Sequence, residues 1–439
     1  MMGLFNFPLR LEPDGSTLVA DKPIQTPYGG LSQHSLLPYR TPSEIGLGSG
    51  NLTVVAGSST VARCWISTAE PDWMVADRSG WWGAMQAQFG NPFFIRRGGV
   101  VAASGVTTDT VLTQVTTALA LGTGTKYVIA NVGGNDDFNS AATVGKVENW
   151  TRKMIEKTSA YGAKFFLILQ HLSSTNAGPS TAHTNFMACR ERLLKLKAQY
   201  SGIVFLVDHL AAVSDSSQMA TLPEYINGLH LNVAGNRRVA EYAWGPALRE
   251  AGLITGVIDP TSFGTLINPN AMFRDADGAF SLTGWSTFAP SGPMPTLVDA
   301  GYRDPYGRNV ARLTQATTNI DAFASYVMAS GVGGAASDIY RIVASFKPVQ
   351  NCYSAGMYIR ESGTPVRQLR PLLDAVVPEY AKWNDGQWYS FVSDPFKGWT
   401  ELVSVARVGF IINNLGQSSD LAICDIAGVG LVRAGTAWA

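Results

Sequence analysis

Three short polar segments carry residue types that could perform nucleophilic chemistry. In chain order they are Gly57–Thr60 (GSST), Gly133–Asp136 (GGND) and Asn227–His230 (NGLH). A serine hydroxyl can attack a carbonyl carbon, a histidine can take its proton, and an Asn amide can donate a hydrogen bond to the oxyanion that forms. Each segment alone is common in turns and helix caps, but the ordered set favours a serine esterase.

The elements around these segments predict a sheet that brings them together. Continuous apolar runs, typical of parallel strands covered on both faces, occur at Thr53–Ala56, Tyr127–Ala130, Phe165–Leu169 and Ile203–Val207. Helical periodicity lies between or after them, over 147–155, Thr181–Tyr200 and Asn236–Glu250. The alternation predicts an α/β fold, built from right-handed βαβ units with a doubly wound parallel sheet. Such sheets carry their sites at the carboxyl ends of the strands.

The pattern changes after Ile258. Short β-rich runs separated by turn clusters replace the helices, at Tyr340–Phe346, Gly356–Arg360, Val403–Ile412 and Leu421–Val432. We therefore expect an all-β sandwich, jelly-roll-like, over residues 259–439. The α/β domain is expected over 51–258, preceded by an extended arm or linker over 1–50 that is rich in Gly, Pro and Ser.

Composition excludes several partners. The chain has 439 residues, with 33 basic and 33 acidic side chains, so its net charge is zero and nucleic acid is not an expected partner. The sequence contains no run of about 18 apolar residues, so we expect no membrane insertion. The four scattered cysteines are expected to be isolated buried thiols, and no metal-ligand spacing is present. Met1–Arg10 lacks the pattern of a secretory signal peptide. We expect no metal and no organic cofactor.

The three segments resemble the SGNH hydrolase family of GDSL-like esterases, over roughly residues 51–250. The resemblance implies a three-layer α/β/α domain with a flavodoxin-like parallel sheet. The run Ala56–Ala62 (AGSSTVA) looks most like the Ala-Gly-Asp-Ser-Thr block of carbohydrate acetylesterases. The resemblance implies Ser59 as nucleophile and His230 as general base. It also implies an oxyanion hole formed by the Ser59 N–H, the Gly105 N–H and the Asn135 amide.

Two positions depart from that family. Ser58 and Asn227 stand where the family has Asp, and the second Asp orients the catalytic histidine. Three alternatives are open. The Asn227 carbonyl could accept the Nδ1 hydrogen of His230, a carboxylate from elsewhere (Glu224, Asp208 or Asp215) could replace the missing acid, or the site could bind without cleaving.

The resemblance implies a carboxylic-ester hydrolase that removes O-acetyl groups from a polysaccharide. We expect the segment Trp65–Trp82 to form one wall of the substrate cleft, with Trp81 and Trp82 contacting substrate. His171 is expected to be a substrate contact or a fallback base. The rival hypotheses are a catalytically degenerate glycan-binding or adhesion protein, and a lipid or thioester hydrolase.

The second domain and the layout of the chain predict the setting. The openings Asn268–Phe273 and Leu282–Trp285 resemble those of carbohydrate-binding jelly rolls. The aromatic side chains of the predicted β domain could stack on sugars or pack in the core; they include Trp285, Tyr353, Trp383, Trp388 and Trp399. The arm, esterase domain and β domain together resemble a bacteriophage tail spike or fibre deacetylase. That layout implies an extracellular, virion-associated homotrimer acting on a bacterial surface polysaccharide.

Overall fold

The computed structural model describes residues 51–66, 75–76, 80–89, 92–253, 265–305, 307–327, 338–361, 366–372, 388–397, 406–416 and 418–435. Before residue 51 it describes two antiparallel strand pairs, β1 (Leu9–Leu11) with β2 (Leu18–Ala20) and β3 (Ile24–Thr26) with β4 (Gly29–Leu31). The rest of the predicted arm, and the predicted boundary at residues 258 and 259, lie outside the described residues.

The first large unit, over residues 51–253, alternates strands and helices. Its strands are β5 (Leu52–Ala56), β6 (Trp65–Ile66), β7 (Val75–Ala76), β8 (Phe94–Val100), β9 (Tyr127–Val132), β10 (Lys164–Leu169), β11 (Val204–Asp208), β12 (Ile226–Asn227) and β13 (His230–Leu231). Its helices are α1 (Ser59–Ala62), α2 (Trp81–Phe89), α3 (Thr108–Leu119), α4 (Ala142–Ala160), α5 (Thr181–Gln199), α6 (His209–Val213), α7 (Val233–Val239) and α8 (Gly245–Glu250). A 3₁₀ turn spans Pro223–Tyr225, and a π-helical segment, Ala240–Trp244, joins α7 to α8.

Within these residues, five parallel strands form one sheet in the order β11-β10-β9-β5-β8. Numbered along the domain this order is 2-1-3-4-5, the flavodoxin-like arrangement, so the predicted α/β fold is confirmed. The topological switch point lies between β5 and β9, whose carboxyl ends lead into Gly57–Thr60 and Gly133–Asp136. The fold therefore brings two of the three polar segments to the edge where such sheets carry ligands.

Two apolar layers cover the sheet because its strands are apolar on both faces. On one face α2, the π-helical segment and α8 pack through Trp81, Trp244 and Leu248. On the other face α3, α4 and α5 pack through residues such as Val147 and Phe186. Among the described residues, no helix has both the length and the apolar content needed to cross a bilayer. All four cysteines are buried free thiols, as expected.

The second unit is an antiparallel β sandwich. Its strands are β14 (Thr265–Leu266), β15 (Trp285–Phe288), β16 (Thr296–Arg303), β17 (Asn309–Thr314), β18 (Ala322–Val327), β19 (Ile339–Gln350), β20 (Ser354–Glu361), β21 (Val366–Leu372), β22 (Tyr389–Val392), β23 (Phe396–Lys397), β24 (Ala406–Asn413) and β25 (Ile423–Gly435). Among the described strands, one sheet runs β16-β17-β25-β19-β22, with β14 and β23 at its margins. The other runs β15-β18-β24-β20-β21, and the predicted all-β domain is confirmed.

The core between the two sheets is apolar, and the half-buried Trp285 packs against it. Residues such as Phe346, Phe410 and Leu431 are fully buried there. The Trp285 ring packs 4.7 Å from that of Phe273, and its Nε1 donates to the Asn270 carbonyl oxygen at 2.8 Å. Packing therefore accounts for this aromatic side chain. Trp383 and Trp399 lie outside the described residues.

Buried polar contacts join the sandwich to the α/β unit. Arg341 of β19 is fully buried and donates through Nη2 to the Phe93 carbonyl oxygen at 2.6 Å and through Nε to the Ser393 carbonyl oxygen at 2.9 Å. Asp394 accepts hydrogen bonds from Trp82 Nε1 and Gln86 Nε2 of α2. Burial lowers the pKa of Arg341 to about 10, against the opposing effect of Asp394, so the guanidinium stays charged at neutral pH. Side chains of both signs are thus desolvated at this junction.

We expect Arg341→Leu to lower the free energy of unfolding by about 3 kcal/mol, because it removes the charged donor of hydrogen bonds to two buried carbonyl oxygens. Denaturant unfolding measures the loss. The control is Arg303→Leu, since Arg303 is exposed on β16 and its loss should change stability by no more than about 0.5 kcal/mol. Equal stabilities of the two variants would contradict the assigned role of Arg341.

Candidate active site

A strained turn after β5 presents Ser59. Gly57 has φ +146, and a Cβ built on it would lie 2.1 Å from Asn131 Oδ1 and 2.8 Å from a Val61 methyl carbon. Only glycine fits this approach. The same Asn131 oxygen accepts the Ser58 N–H at 2.7 Å. The chain then enters α1, whose first residue, Ser59, starts a helix where backbone N–H groups have no partner within the helix.

A short hairpin presents His230. It pairs β12 with β13, so that Asn227 lies opposite His230, and Gly228 at the turn has φ +66. The Asn232 side chain caps α7 by accepting the Gly235 N–H at 2.9 Å and donates to the Glu224 carbonyl oxygen at 2.8 Å. Asn232 therefore links the start of α7, which follows the hairpin, to the 3₁₀ turn that precedes it.

The structure brings the predicted nucleophile and base into contact. His230 Nε2 lies 2.9 Å from Ser59 Oγ, across 171 residues of sequence, and both side chains are half-buried. In the neutral ring with its proton on Nδ1, Nε2 accepts the Ser59 hydroxyl hydrogen. This geometry is the one in which a histidine can take a proton from a serine as the serine attacks.

In the part of the chain that the structure describes, no acid completes a Ser-His-acid triad with these two residues. Within the described residues, no side chain hydrogen-bonds His230 Nδ1, and the exposed Asn227 makes no side-chain hydrogen bond. Asp208 instead accepts from Arg190 and from the Ala211 N–H.

The remaining carboxylate candidates do not supply it either. Asp215 accepts from the Ser217 hydroxyl and the Met219 N–H within its own turn, and Glu224 is exposed. Of the three alternatives, replacement of the missing acid by Glu224, Asp208 or Asp215 is therefore not supported by the contacts of these residues.

The surroundings of His230 favour its neutral form. Burial lowers the pKa of the imidazole below its ordinary value of 6.5, and the positive charge of Arg63 lowers it further. A neutral ring can accept the serine proton at neutral pH without first losing its own. The missing carboxylate would have had the opposite effect on this pKa.

The segment Gly133–Asp136 is fastened to the start of α3. Asp136 accepts the Thr108 hydroxyl at 2.6 Å, and the Thr108 oxygen accepts the Gly133 N–H at 3.0 Å. Burial raises the pKa of Asp136, opposed by its hydrogen bonds to Thr108. Asn135 Nδ2 donates to the Val106 carbonyl oxygen at 3.0 Å, and the amide carries a second hydrogen for another acceptor.

A cavity of about 310 Å³ opens where these pieces meet. Most of its lining side chains end in hydroxyl, amide or carboxylate groups; the lining residues are Ser58, Ser59, Thr60, Gly134, Asn135, Asp136, Asp137, Phe138, Asn139, Gln170, Ser173, Thr175, Asn176, Ala182, Leu229 and His230. Gly105 lies one residue before Val106, exposed, with φ +79, and is not among them. Ser59, Asn135 and His230 thus share one cavity. Gly105 lies on the loop whose Val106 carbonyl oxygen accepts the hydrogen bond from Asn135.

The prediction that Trp81 and Trp82 contact substrate is wrong; residues 67–74 and 77–79 of the segment predicted to form the cleft wall lie outside the described residues. Both side chains are fully buried, because their large apolar rings pack in the core beside the sheet. Trp81 stacks on Trp244 with ring centres 4.7 Å apart, and its Nε1 donates to the Thr60 carbonyl oxygen at 3.1 Å. Trp81 therefore supports the helix that carries Ser59 rather than a substrate.

His171 is likewise absent from the cavity surface. It is 0% exposed, so it cannot be the predicted substrate contact, and it lies behind the wall formed by Gln170 and Leu229. Burial lowers its pKa to about 4.

Among the described residues, no group of three His, Cys, Asp or Glu side chains is placed to hold a metal ion.

Sequence reasoning missed two buried amides at this edge of the sheet. Asn131 is the polar residue inside the apolar strand β9, and Gln170 directly follows β10. Their side chains contact each other, with Nδ2 of Asn131 3.2 Å from Oε1 of Gln170. The available signal was a single amide within or next to a continuously apolar run, which demands a partner in the fold.

Comparisons with known proteins give only distant likenesses. No protein-family model and no curated protein matches the chain. A solved acetylxylan esterase from Geobacillus stearothermophilus is 20% identical, with a TM-score of 0.35, and the match covers 47% of this chain and 96% of the esterase. A GDSL-like lipase from Bacteroides thetaiotaomicron is 14% identical, with a TM-score of 0.33, and the match covers 50% and 95% of the two chains.

A third solved structure is TmCBM61 in complex with β-1,4-galactotriose. It is 10% identical, with a TM-score of 0.26, and the match covers 39% of this chain and 99% of TmCBM61. None of these likenesses reaches a TM-score of 0.5, so none of them indicates which reaction this protein performs.

We expect the pH profile of ester hydrolysis to report His230. The rate constant kcat/KM should rise with pH through a midpoint below 6.5, since the base acts in its neutral form and its pKa is lowered. Arg63→Gln should move the midpoint upward because it removes the nearby positive charge. Lys153→Gln, an exposed change on α4, is the control and should leave the midpoint in place. A downward shift in Arg63→Gln would contradict the assignment.

We expect Gly57→Ala to lower kcat by at least ~10²-fold, because its methyl group must displace the Asn131 oxygen that holds the Ser59 turn. Steady-state kinetics measure the loss. Gly162→Ala is the matched control, since Gly162 also has positive φ (+71) but has open space around it. Similar kcat values for the two variants would exclude the steric explanation.

Proposed function

We propose that this protein is a serine esterase that removes O-acetyl groups from a polysaccharide. The single observation that carries the proposal is the 2.9 Å contact between His230 Nε2 and Ser59 Oγ at a polar cavity. The order and character of the three segments resemble the SGNH hydrolases and support the same reaction class.

The proposed mechanism uses only side chains and backbone of this chain. Ser59 Oγ attacks the ester carbonyl carbon while His230 Nε2 takes its proton. The oxyanion accepts hydrogen bonds from the Ser59 N–H and from the second hydrogen of the Asn135 amide; the Gly105 N–H is a further proposed donor. His230 then protonates the leaving sugar oxygen, and water, activated by the same ring, releases acetate from Ser59.

The cavity lining supports a small acyl group on a polar carrier. Ser173, Thr175, Asn176 and Asn139 line the same cavity as Ser59, and their hydroxyl and amide groups are of the kind that binds the hydroxyl groups of a sugar. The apolar lining side chains are Phe138, Ala182 and Leu229, which together offer little room for a long hydrocarbon chain. The cavity therefore favours an acetyl ester over a lipid.

The setting of the reaction is part of the same proposal and follows from the layout of the chain. We propose an extracellular, virion-associated homotrimer whose substrate is a bacterial surface polysaccharide. The β sandwich would bind glycan or mediate assembly.

We expect 4-nitrophenyl acetate to be hydrolysed faster than 4-nitrophenyl octanoate by the wild type. Ser59→Ala should lower kcat by at least ~10³-fold through loss of the nucleophile, and His230→Ala by at least ~10²-fold. Ser174→Ala, an exposed serine next to the cavity wall, is the matched control and should retain the wild-type rate. Turnover that survives in Ser59→Ala would contradict the mechanism.

A glycan-binding protein without turnover is the second candidate, and the missing partner of His230 Nδ1 favours it. Asn227→Asp separates the two functions. Because residue 227 lies opposite His230 in the hairpin, an acid there can orient the ring and stabilise its charged form.

For the esterase we expect Asn227→Asp to raise kcat by at least ~10-fold, since the acid of a triad is worth up to ~10⁴-fold. Asn139→Asp, which adds the same charge to the cavity elsewhere, should not raise it. Binding of acetylated polysaccharide without acetate release, in both the wild type and Asn227→Asp, would establish the binding protein instead.

A further inference from the structure

A chain of hydrogen bonds between buried side chains connects Ser58 and Thr60, the sequence neighbours of Ser59, to Leu229, which precedes His230. It begins at Asn131, whose Oδ1 accepts the Ser58 N–H at 2.7 Å and whose Nδ2 donates to Ser58 Oγ at 3.0 Å. Asn131 Nδ2 also donates to Gln170 Oε1 at 3.2 Å. The residue before the nucleophile is thereby joined to the end of β10.

The chain of hydrogen bonds continues from β10 to the hairpin of His230. Gln170 Nε2 donates to Thr60 Oγ1 at 2.9 Å and lies 3.1 Å from His171 Nδ1. His171 Nε2 lies 3.2 Å from the Leu229 carbonyl oxygen. Both neighbours of Ser59 and the residue before His230 are therefore held by one set of core side chains.

The partners fix the direction of each bond. The Ser58 N–H can only donate, so the Asn131 oxygen faces it and the Asn131 amide nitrogen faces the Gln170 oxygen. The Leu229 oxygen can only accept, so His171 carries its proton on Nε2 and offers the lone pair of Nδ1 to Gln170. Burial lowers the pKa of the ring to about 4 and so keeps it neutral; the hydrogen bond to the Leu229 carbonyl opposes this effect, and the charge of His230 adds to it. Only this tautomer satisfies every bond.

The hairpin is short, and its turn is exposed. It consists of two residue pairs, and Leu229 at its turn is 51% exposed. On the C-terminal side of His230, Leu231 packs in the core beside the sheet, and its carbonyl oxygen accepts from Asn236 Nδ2 at 3.2 Å. Among the described residues, no side chain hydrogen-bonds His230 Nδ1. The bond from His171 is the contact that fixes the backbone on the other side of His230, at Leu229.

We propose that His171 is a positioning residue, whose hydrogen bond to the Leu229 carbonyl holds the His230 ring against Ser59 in a site whose described residues include no orienting acid. The proposal rests on the proposed esterase function. His171 acts through Leu229 and touches no substrate, since it is fully buried behind Gln170.

Two substitutions of His171 separate positioning from packing. His171→Leu removes both ring nitrogens, whereas His171→Gln keeps an amide N–H that reaches the place of Nε2. His183→Leu is the matched control, because His183 Nε2 also contacts a backbone carbonyl, that of Gln218 at 2.9 Å, which lies outside the cavity lining. Thermal unfolding of all variants identifies loss of folding.

With 4-nitrophenyl acetate we expect His171→Leu to lower kcat by at least ~10-fold with KM changed less than about twofold, since a small misplacement of the base affects the chemical step. His171→Gln should recover most of that loss, and His183→Leu should keep the wild-type kcat. Unchanged kcat in His171→Leu, or equal losses in His171→Leu and His171→Gln, would overturn the proposal.

Hydrogen–deuterium exchange of the peptide covering residues 226–231 gives a second readout that needs no turnover. We expect faster exchange in His171→Leu than in the wild type and no change in His183→Leu. If the wild type shows no turnover above Ser59→Ala, the esterase function fails, and exchange alone decides the positioning role. Unchanged exchange in a folded His171→Leu protein would then exclude it.

Discussion

The buried amide of Asn131 is the constraint on which the candidate site depends. Its oxygen lies so close to the backbone of residue 57 that only glycine fits there, and the same oxygen accepts the Ser58 N–H. The amide thereby fixes the turn that carries Ser59 at the switch point of the sheet. The contact works only because β5 and β9 are neighbours in the sheet, so the parallel topology and the nucleophile turn depend on each other.

The elements that present the proposed catalytic groups differ in how firmly the core holds them. Ser59 and Asn135 follow directly from the ends of central strands, whereas His230 lies on a two-pair hairpin near α7. A neutral, partly buried imidazole without a carboxylate partner can still act as a base, but its orientation then depends on uncharged contacts. The side chains of Gln170 and His171 provide such contacts from the end of β10.

Most of the fold could be predicted, because long apolar runs and helical periodicity are local signals. The contact between Ser59 and His230 followed from segment order and from resemblance. The errors concern direction: Trp81, Trp82 and His171 lie near the site in sequence or topology, yet packing turns all three into the core. Sequence does not show whether a side chain faces the cavity or the core. It also does not show that an isolated polar residue such as Asn131 has its hydrogen-bond partner at residue 58.

The central claim is that Ser59 is an activated nucleophile although the described part of the chain places no acid on its base. Intact-protein mass spectrometry after incubation with a fluorophosphonate tests it most directly, with peptide mapping to locate the adduct. The account predicts one adduct per chain, on the peptide that contains Ser59, and none in His230→Ala. A wild-type protein that stays unlabelled, or one labelled equally in His230→Ala, would contradict the claim.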